Sequence, residues 1–220
     1  MLWLGNGIVY SNQETKLLFD PFRRATQGVV FISHAHSDHA RPHQTTTFMT
    51  PETASLTGIK AKTLKYDQPF RMGECEVIMR PAGHILGSAQ FEIHDGMDIV
   101  YTGDFKLQSS LLFEGAIPLE CGDLVIETTF GIKEFHFPDR WDVYEDITNW
   151  VLKNLSLNRI VLFGVYPIGK AQEITRLLND YCSIAPLVHP RIKQINDIYA
   201  YSGVDVGEYF EFNSVEGLSL

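Results

Sequence analysis

The sequence is poor in positive charge. Its 18 lysines and arginines stand against 27 aspartates and glutamates, a formal net charge of −9. A broad, sequence-blind polyanion-binding surface relies on a basic stripe, so that class is disfavoured. An enzyme whose own metal ions offset the phosphate it attacks is untouched by this argument. Cysteine is scarce too. Cys75, Cys121 and Cys182 are odd in number and form no CxxC pair, which excludes a disulfide framework and fits reduced thiols in the cytoplasm. Long apolar runs are missing: the longest, Ile160–Gly169, is closed off by Arg159 and Lys170 and is too short to span a bilayer. The opening MLWLGNGIVY has no basic stretch and meets polar residues early, unlike a signal peptide. No repeat, low-complexity tract or Pro/Gly/Ser linker interrupts the chain. What remains, with 45% apolar and 12% aromatic residues in 220, describes one large globular domain, or one and a half.

Two textures divide it. Up to about residue 126 short apolar runs alternate with turns. KLLFD (16–20), GVVFIS (28–33), ECEVIMR (74–80), AQFEIH (89–94), MDIVYTG (97–103) and DLVIETT (123–129) read as strands. Asp95-Gly96 suits a hairpin turn. TPETASLTG (50–58) opens on a Thr/Pro cap signal and closes on glycine, as a short helix does. Beyond residue 138 helices alternate with strands. Trp141, Tyr144, Ile147, Val151 and Leu155 fall at helical spacing over 139–155; a strand is predicted over 158–166 and a helix over 169–181. The expected division is 1–138 and 139–220, in an α/β (α+β) fold.

The histidines are not spread evenly. Of eight, three fall in FISHAHSDHA (31–40), and His43 lies just beyond. His34 and His36, two apart in extended backbone after an apolar strand, point the same way and suit one ion. Asp38 and His39, past the turn, reach toward a second. Imidazole and carboxylate donors suit Zn²⁺, Mn²⁺ or iron rather than a soft thiolate site. A polar loop with incidental histidines is the competing reading, and the HxHxDH conjunction outweighs it. PAGHILGSAQ (81–90) sets His84 between glycines, where backbone can approach an ion. YTGDF (101–105) places Asp104 after a strand, where one carboxylate can bridge two ions. Singly, each of these is a weak signal.

In this order the motifs resemble the metallo-β-lactamase fold, an αββα sandwich with its metal site along one edge of the sheets. The resemblance implies a first ion held by His34, His36 and His84, a second by Asp38 and His39, with Asp104 bridging and Asp20 of LLFDP supporting a ligand from behind. It implies two Zn²⁺ ions, with Mn²⁺ an alternative, that lower the pKa of a shared water for hydrolysis without a protein nucleophile. Ser33 and Ser37 then need no catalytic role. Two further stretches resemble the β-CASP nucleases: DLVIETTFGIKEFHFPDR (123–140), with Glu127 as its acidic residue, and LFGVYPIGKAQEITRLL (162–178), like the opening of a β-CASP segment. The implied activity is phosphodiester hydrolysis of RNA or single-stranded DNA by metal-activated hydroxide. Asp38, Asp104 and Glu127 are its catalytic carboxylates, and His136, Gly169 and Lys170 are candidates for substrate contact. Gly164–Lys170 also matches GxxxxGK, but Ala171 offers no hydroxyl for Mg²⁺ and Tyr-Pro-Ile crowds the loop, so a nucleotide-hydrolase reading fails.

One departure bears on the site. β-CASP nucleases supply further histidine motifs after their inserted domain, and this sequence shows none. Three explanations stay open. The chain is part of a longer or split enzyme, completed by a second copy or a partner chain; His136, His189 or a water fills the gap; or the protein is a metal-binding relative with weak or no nuclease activity, such as a nucleic-acid-processing subunit without catalysis of its own. A small-ester or thioester metallohydrolase is a further reading, disfavoured by the β-CASP-like half.

Overall fold

The computed structural model describes residues 1–212, which form two compact units. The first comprises residues 1–109 with 113–127, the second 110–112 with the described residues from 128 onward. The second unit thus begins before residue 138, where the texture of the sequence changes.

In the first unit six strands make one sheet: β1 (Leu2–Gly5), β2 (Gly7–Ser11), β3 (Lys16–Phe19), β4 (Val29–Phe31), β5 (Thr47–Met49) and β6 (Lys62–Thr63), in that order. β1 to β3 run antiparallel, and β3 to β6 parallel. Strands β4 and β5 are buried along their whole length, as parallel strands covered on both faces must be. One face packs on helix α1 (Pro51–Thr57) and its flanks, where Leu18, Val30, Ile32 and Met49 meet Ala54 and Ile59. The Thr50 side chain caps α1 by accepting from the Thr53 N–H, and Gly58 closes it at φ 67°.

The other face meets a second sheet, ordered β11-β10-β9-β8-β7. It is built from β7 (Phe70–Met72), β8 (Cys75–Pro81), β9 (Ala89–His94), β10 (Asp98–Tyr101) and β11 (Asp123–Val125). The hairpin at Asp95-Gly96 forms as predicted, with β9 and β10 antiparallel. Between the sheets lies an aromatic core. Phe19, Phe31 and Phe48 pack against Phe91, Phe70 and Tyr101, with Phe19–Phe91 ring centroids 5.0 Å apart. Phe19, Phe31 and Phe91 have no exposed surface. Each such side chain contributes about 1.5–3 kcal/mol by its burial.

Strand direction decides where loops meet. β3 and β4 are parallel, so Asp20 and the residues after Phe31 leave the first sheet at one edge. β8, β9 and β10 are successively antiparallel, so the β8–β9 loop and the end of β10 share one edge of the second sheet. The Ala89 N–H donates to the Ser33 carbonyl at 2.8 Å and ties these edges together. Gly103, at φ 52°, allows that approach: a Cβ there would lie 2.7 Å from Ser33 Cβ.

The second unit contains α2 (Arg140–Ser156), α3 (Lys170–Cys182), α4 (Pro190–Tyr201) and a parallel pair, β12 (Leu187–Val188) with β13 (Phe210–Glu211). Tyr144 and Val151 of α2 pack on Leu177 and Leu178 of α3. The strand predicted at 158–166 is absent. Val161 and Phe163 do pack on the α2–α3 core, while Ile160 and Leu162 are 88% and 84% exposed. The inside-outside alternation is therefore present, but among the described residues no neighbouring strand offers a ladder. No helix of the described residues is long and apolar enough to cross a membrane.

Candidate metal centre

The shared edge gathers the sequence-predicted residues of the first unit. His34, with no exposed surface, follows β4. His36 and His39 sit on the turn beyond it, closed by Ala40 N–H donating to the His36 carbonyl at 2.8 Å. His84 rides on the β8–β9 loop, where Ser88 Oγ accepts from the His84 N–H at 3.1 Å. Asp104 follows β10.

Their donor atoms converge. His36 Nδ1 lies 3.0 Å from His34 Nε2 and 3.2 Å from His84 Nε2. Asp104 Oδ2 lies 3.7 Å from His34 Nε2 and 3.8 Å from His84 Nε2. All four donors fall within 4.8 Å of one another. Four ligands held tetrahedrally at ordinary Zn²⁺ distances stand about 3.3–3.5 Å apart; the His36 and Asp104 separations from His34 and His84, 3.0–3.8 Å, bracket that spacing, so the set could hold one such ion. The other oxygen of Asp104, Oδ1, faces His39 Nε2 at 3.4 Å, and Asp38 Oδ2 is 3.7 Å from the same nitrogen. One carboxylate thus looks toward two donor sets. Glu127 faces the cluster closely enough that its charge raises the pKa of both His84 and Asp104.

Asp20, which the sequence reading placed behind the site, is joined there by Ser33 and Tyr101, to which it gave no part. Asp20, buried and at φ 46°, accepts four hydrogen bonds: from Ser33 N–H (2.7 Å), Ser33 Oγ (2.5 Å), Tyr101 Oη (2.8 Å) and His39 Nδ1 (2.9 Å). Ser33 Oγ also lies 2.9 Å from His34 Nδ1. With its own proton given to Asp20, that hydroxyl accepts from His34 Nδ1–H and leaves Nε2 bare for an ion. The signals were faint but present: Ser33 adjoins His34, and Tyr101 precedes Asp104 in YTGDF.

Electrostatics favour the donor form of His34 and His84, but not of His39. Burial, with His39, His84 and His36 alongside, holds His34 far below the usual histidine range. Burial, His36 and Lys106 push His84 down to about 4, against the pull of Glu127. For His39 burial acts downward, but the Asp20 hydrogen bond and charge, with Asp104 and Asp38, outweigh it and lift the group to about 9. These shifts give the metal-free chain a stability maximum. Unfolded histidines titrate at about 6.5. Below that, His34 and His84 take up protons on unfolding that the folded chain refuses, so stability falls with pH. The His39 contribution is complete below about 6.5 and is lost as pH rises through about 9. Urea midpoints in EDTA are therefore expected to peak near neutrality and drop at both pH 5 and pH 9; a flat profile would contradict this charge arrangement.

The remaining candidates lie in the second unit. His136 is exposed. Gly169, at φ 89°, precedes α3, and its N–H donates to Gln172 Oε1 at 2.7 Å. Lys170 Nζ is 3.3 Å from Glu173 Oε2. His189 caps α4 by accepting from the Arg191 N–H.

Comparison with known proteins gives this geometry its setting. A "Probable DNA ligase" of Opitutus terrae is 33% identical over 193 residues, covering 83% of this chain and 19% of the relative. "Endoribonuclease YSH1" of Eremothecium gossypii is 27% identical over 180 residues, covering 80% of this chain and 23% of the relative. The chain belongs to the β-CASP group of the metallo-β-lactamase fold. It matches no protein-family model. The crystal structure of an Enterococcus faecalis protein of unknown function superposes with a TM-score of 0.68 at 16% identity, over 96% of this chain and 68% of that one, a likeness of fold alone. This β-CASP chain spans about a fifth of the length of the two curated relatives.

Proposed function

We propose that this chain carries the metal-dependent phosphodiester-hydrolase centre of a nucleic-acid-processing enzyme acting on RNA or single-stranded DNA in the cytoplasm. The observation that carries the reading is Asp104, whose two oxygens face different donor sets. His34, His36 and His84 would hold one ion with it, and Asp38 and His39 the second. Bound there, Zn²⁺ or Mn²⁺ would acidify a water and stabilise the charge developing on the phosphate. The protein's share is placement. Ser33 sets the His34 tautomer, Asp20 orients His39, and Glu127 stands beside His84 and Asp104 to accept a proton or position the substrate. His136, Gly169 and Lys170 contact the strand. The nucleic-acid substrate is supported by the ETTFG and IGKAQE stretches and by relatives whose names are an endoribonuclease and a DNA ligase.

A second reading has its own support. The Asp38 side chain is 75% exposed and its set is the smaller one, which fits a centre completed by a second copy or a partner chain, or a non-catalytic subunit.

The deciding experiment combines metal analysis with labelled single-stranded RNA and DNA. About two ions per chain, with cleavage lost in EDTA and restored by Zn²⁺ or Mn²⁺, is the expected result. Two bound ions with neither strand cut by the chain alone would end the hydrolase reading for the isolated chain.

A further inference from the structure

Three phenylalanines in the second unit are left outside any core. Phe130, Phe135 and Phe137 are 58%, 47% and 66% exposed, yet they contact one another. The Phe130 ring centroid lies 5.2 Å from that of Phe135 and 5.0 Å from that of Phe137, nearly perpendicular to each. Phe135 and Phe137 are parallel within 1° at 6.1 Å. Short-range bonds shape the loop that carries them: Gly131 N–H donates to the Thr128 carbonyl, and Phe135 N–H to the Ile132 carbonyl. Leaving such rings in water forgoes part of the stabilisation that their burial would give. A preorganised patch of this kind marks a contact surface.

We propose that this trio is a stacking platform for the unpaired bases of a single-stranded nucleic acid. The proposal rests on the nucleic-acid reading above and adds the part of the substrate that is gripped. Two observations favour bases over a protein partner. The exposed apolar side chains of this loop are three mutually contacting phenylalanines and one aliphatic residue, Ile132, and every base has a π face to lay on the rings whatever its identity. Charge also fits. In a chain of net charge −9, residues 128–138 carry one carboxylate, Glu134, offset by Lys133, so this loop is locally neutral and does not repel the phosphates between stacked bases. The trio follows Glu127 directly in sequence.

Anisotropy titrations in EDTA test the platform apart from any hydrolysis. The probes are a labelled single-stranded oligonucleotide and one of equal length made of abasic sugar-phosphate. Wild-type chain is expected to prefer the base-bearing strand by about ten-fold or more. Phe135→Ala/Phe137→Ala is expected to lose that preference while the salt dependence of binding stays put. Phe137→Trp is expected to keep the preference and to show fluorescence quenching on binding. Equal wild-type affinity for the two strands overturns the proposal without any variant. So does a wild-type dimer that the double variant dissolves, because the patch is then a protein contact. Cleavage on restored metal without base preference ends the platform alone; base preference without cleavage ends the hydrolase reading alone.

Discussion

Replacing His36 and Asp38 together by alanine is expected to reduce metal-dependent cleavage by about a thousand-fold or more. His36 Nδ1 stands between the other two imidazoles, 3.0 and 3.2 Å from their nitrogens, so its loss opens the first donor set at the middle. Asp38 is one of only two residues that belong to the second set alone. A bound metal contributes several kcal/mol of transition-state stabilisation, and each 1.36 kcal/mol is a factor of ten in rate. The fold should survive, because Asp38 is largely exposed and His36 is only half-buried. The measurement pairs the rate with ion content and a thermal melt. Retained cleavage in a variant stripped of metal would sink the two-ion reading.

Asp20→Ala is expected to damage stability and metal affinity together. The substitution strands four donors at once: Ser33 N–H, Ser33 Oγ, Tyr101 Oη and His39 Nδ1. Removing one partner of a buried charged network costs about 3–5 kcal/mol. Alanine also tolerates φ 46° less well than aspartate. Loss of groups that orient ligands lowers metal affinity by about 10- to 100-fold. Asp20→Asn separates the contributions, since it keeps shape and backbone tolerance but sets an amide donor among donors. Tyr101→Phe removes one bond only, and about 1 kcal/mol is its expected cost. Chemical denaturation and Zn²⁺ competition titrations read both effects. Wild-type values for Asp20→Ala in either measurement would show that the hub is ornamental.

The candidate metal centre was legible because its chemistry is local. His34, His36, Asp38 and His39 are adjacent in sequence, and few other reasons put four donors in six residues. His84 and Asp104 were readable as single weak signals; they join the others because strand directions bring the β8–β9 loop and the end of β10 to one edge. Ser33 and Tyr101 were not assigned to it. Serines and tyrosines are common, and their role here depends on Asp20 arriving from β3, a relation that no spacing encodes. The strand predicted at 158–166 shows the opposite limit. Its alternation is real, with Val161 and Phe163 inward and Ile160 and Leu162 outward, yet a ladder also requires a neighbour. Likewise residues 110–112 join the second unit through Leu111, which packs on the α2–α3 core, a long-range contact with no sequence signature.

That outward pair has a practical side. A stretch with alternating apolar side chains and no paired strand among the described residues would be expected to act in solution as an unfinished seam. Any extended polypeptide can be stitched onto it, another molecule of this chain included. Clumping at high concentration would then start at Ile160 and Leu162, far along the chain from His34, His36, His39 and His84, and handling losses would say nothing about the candidate metal centre.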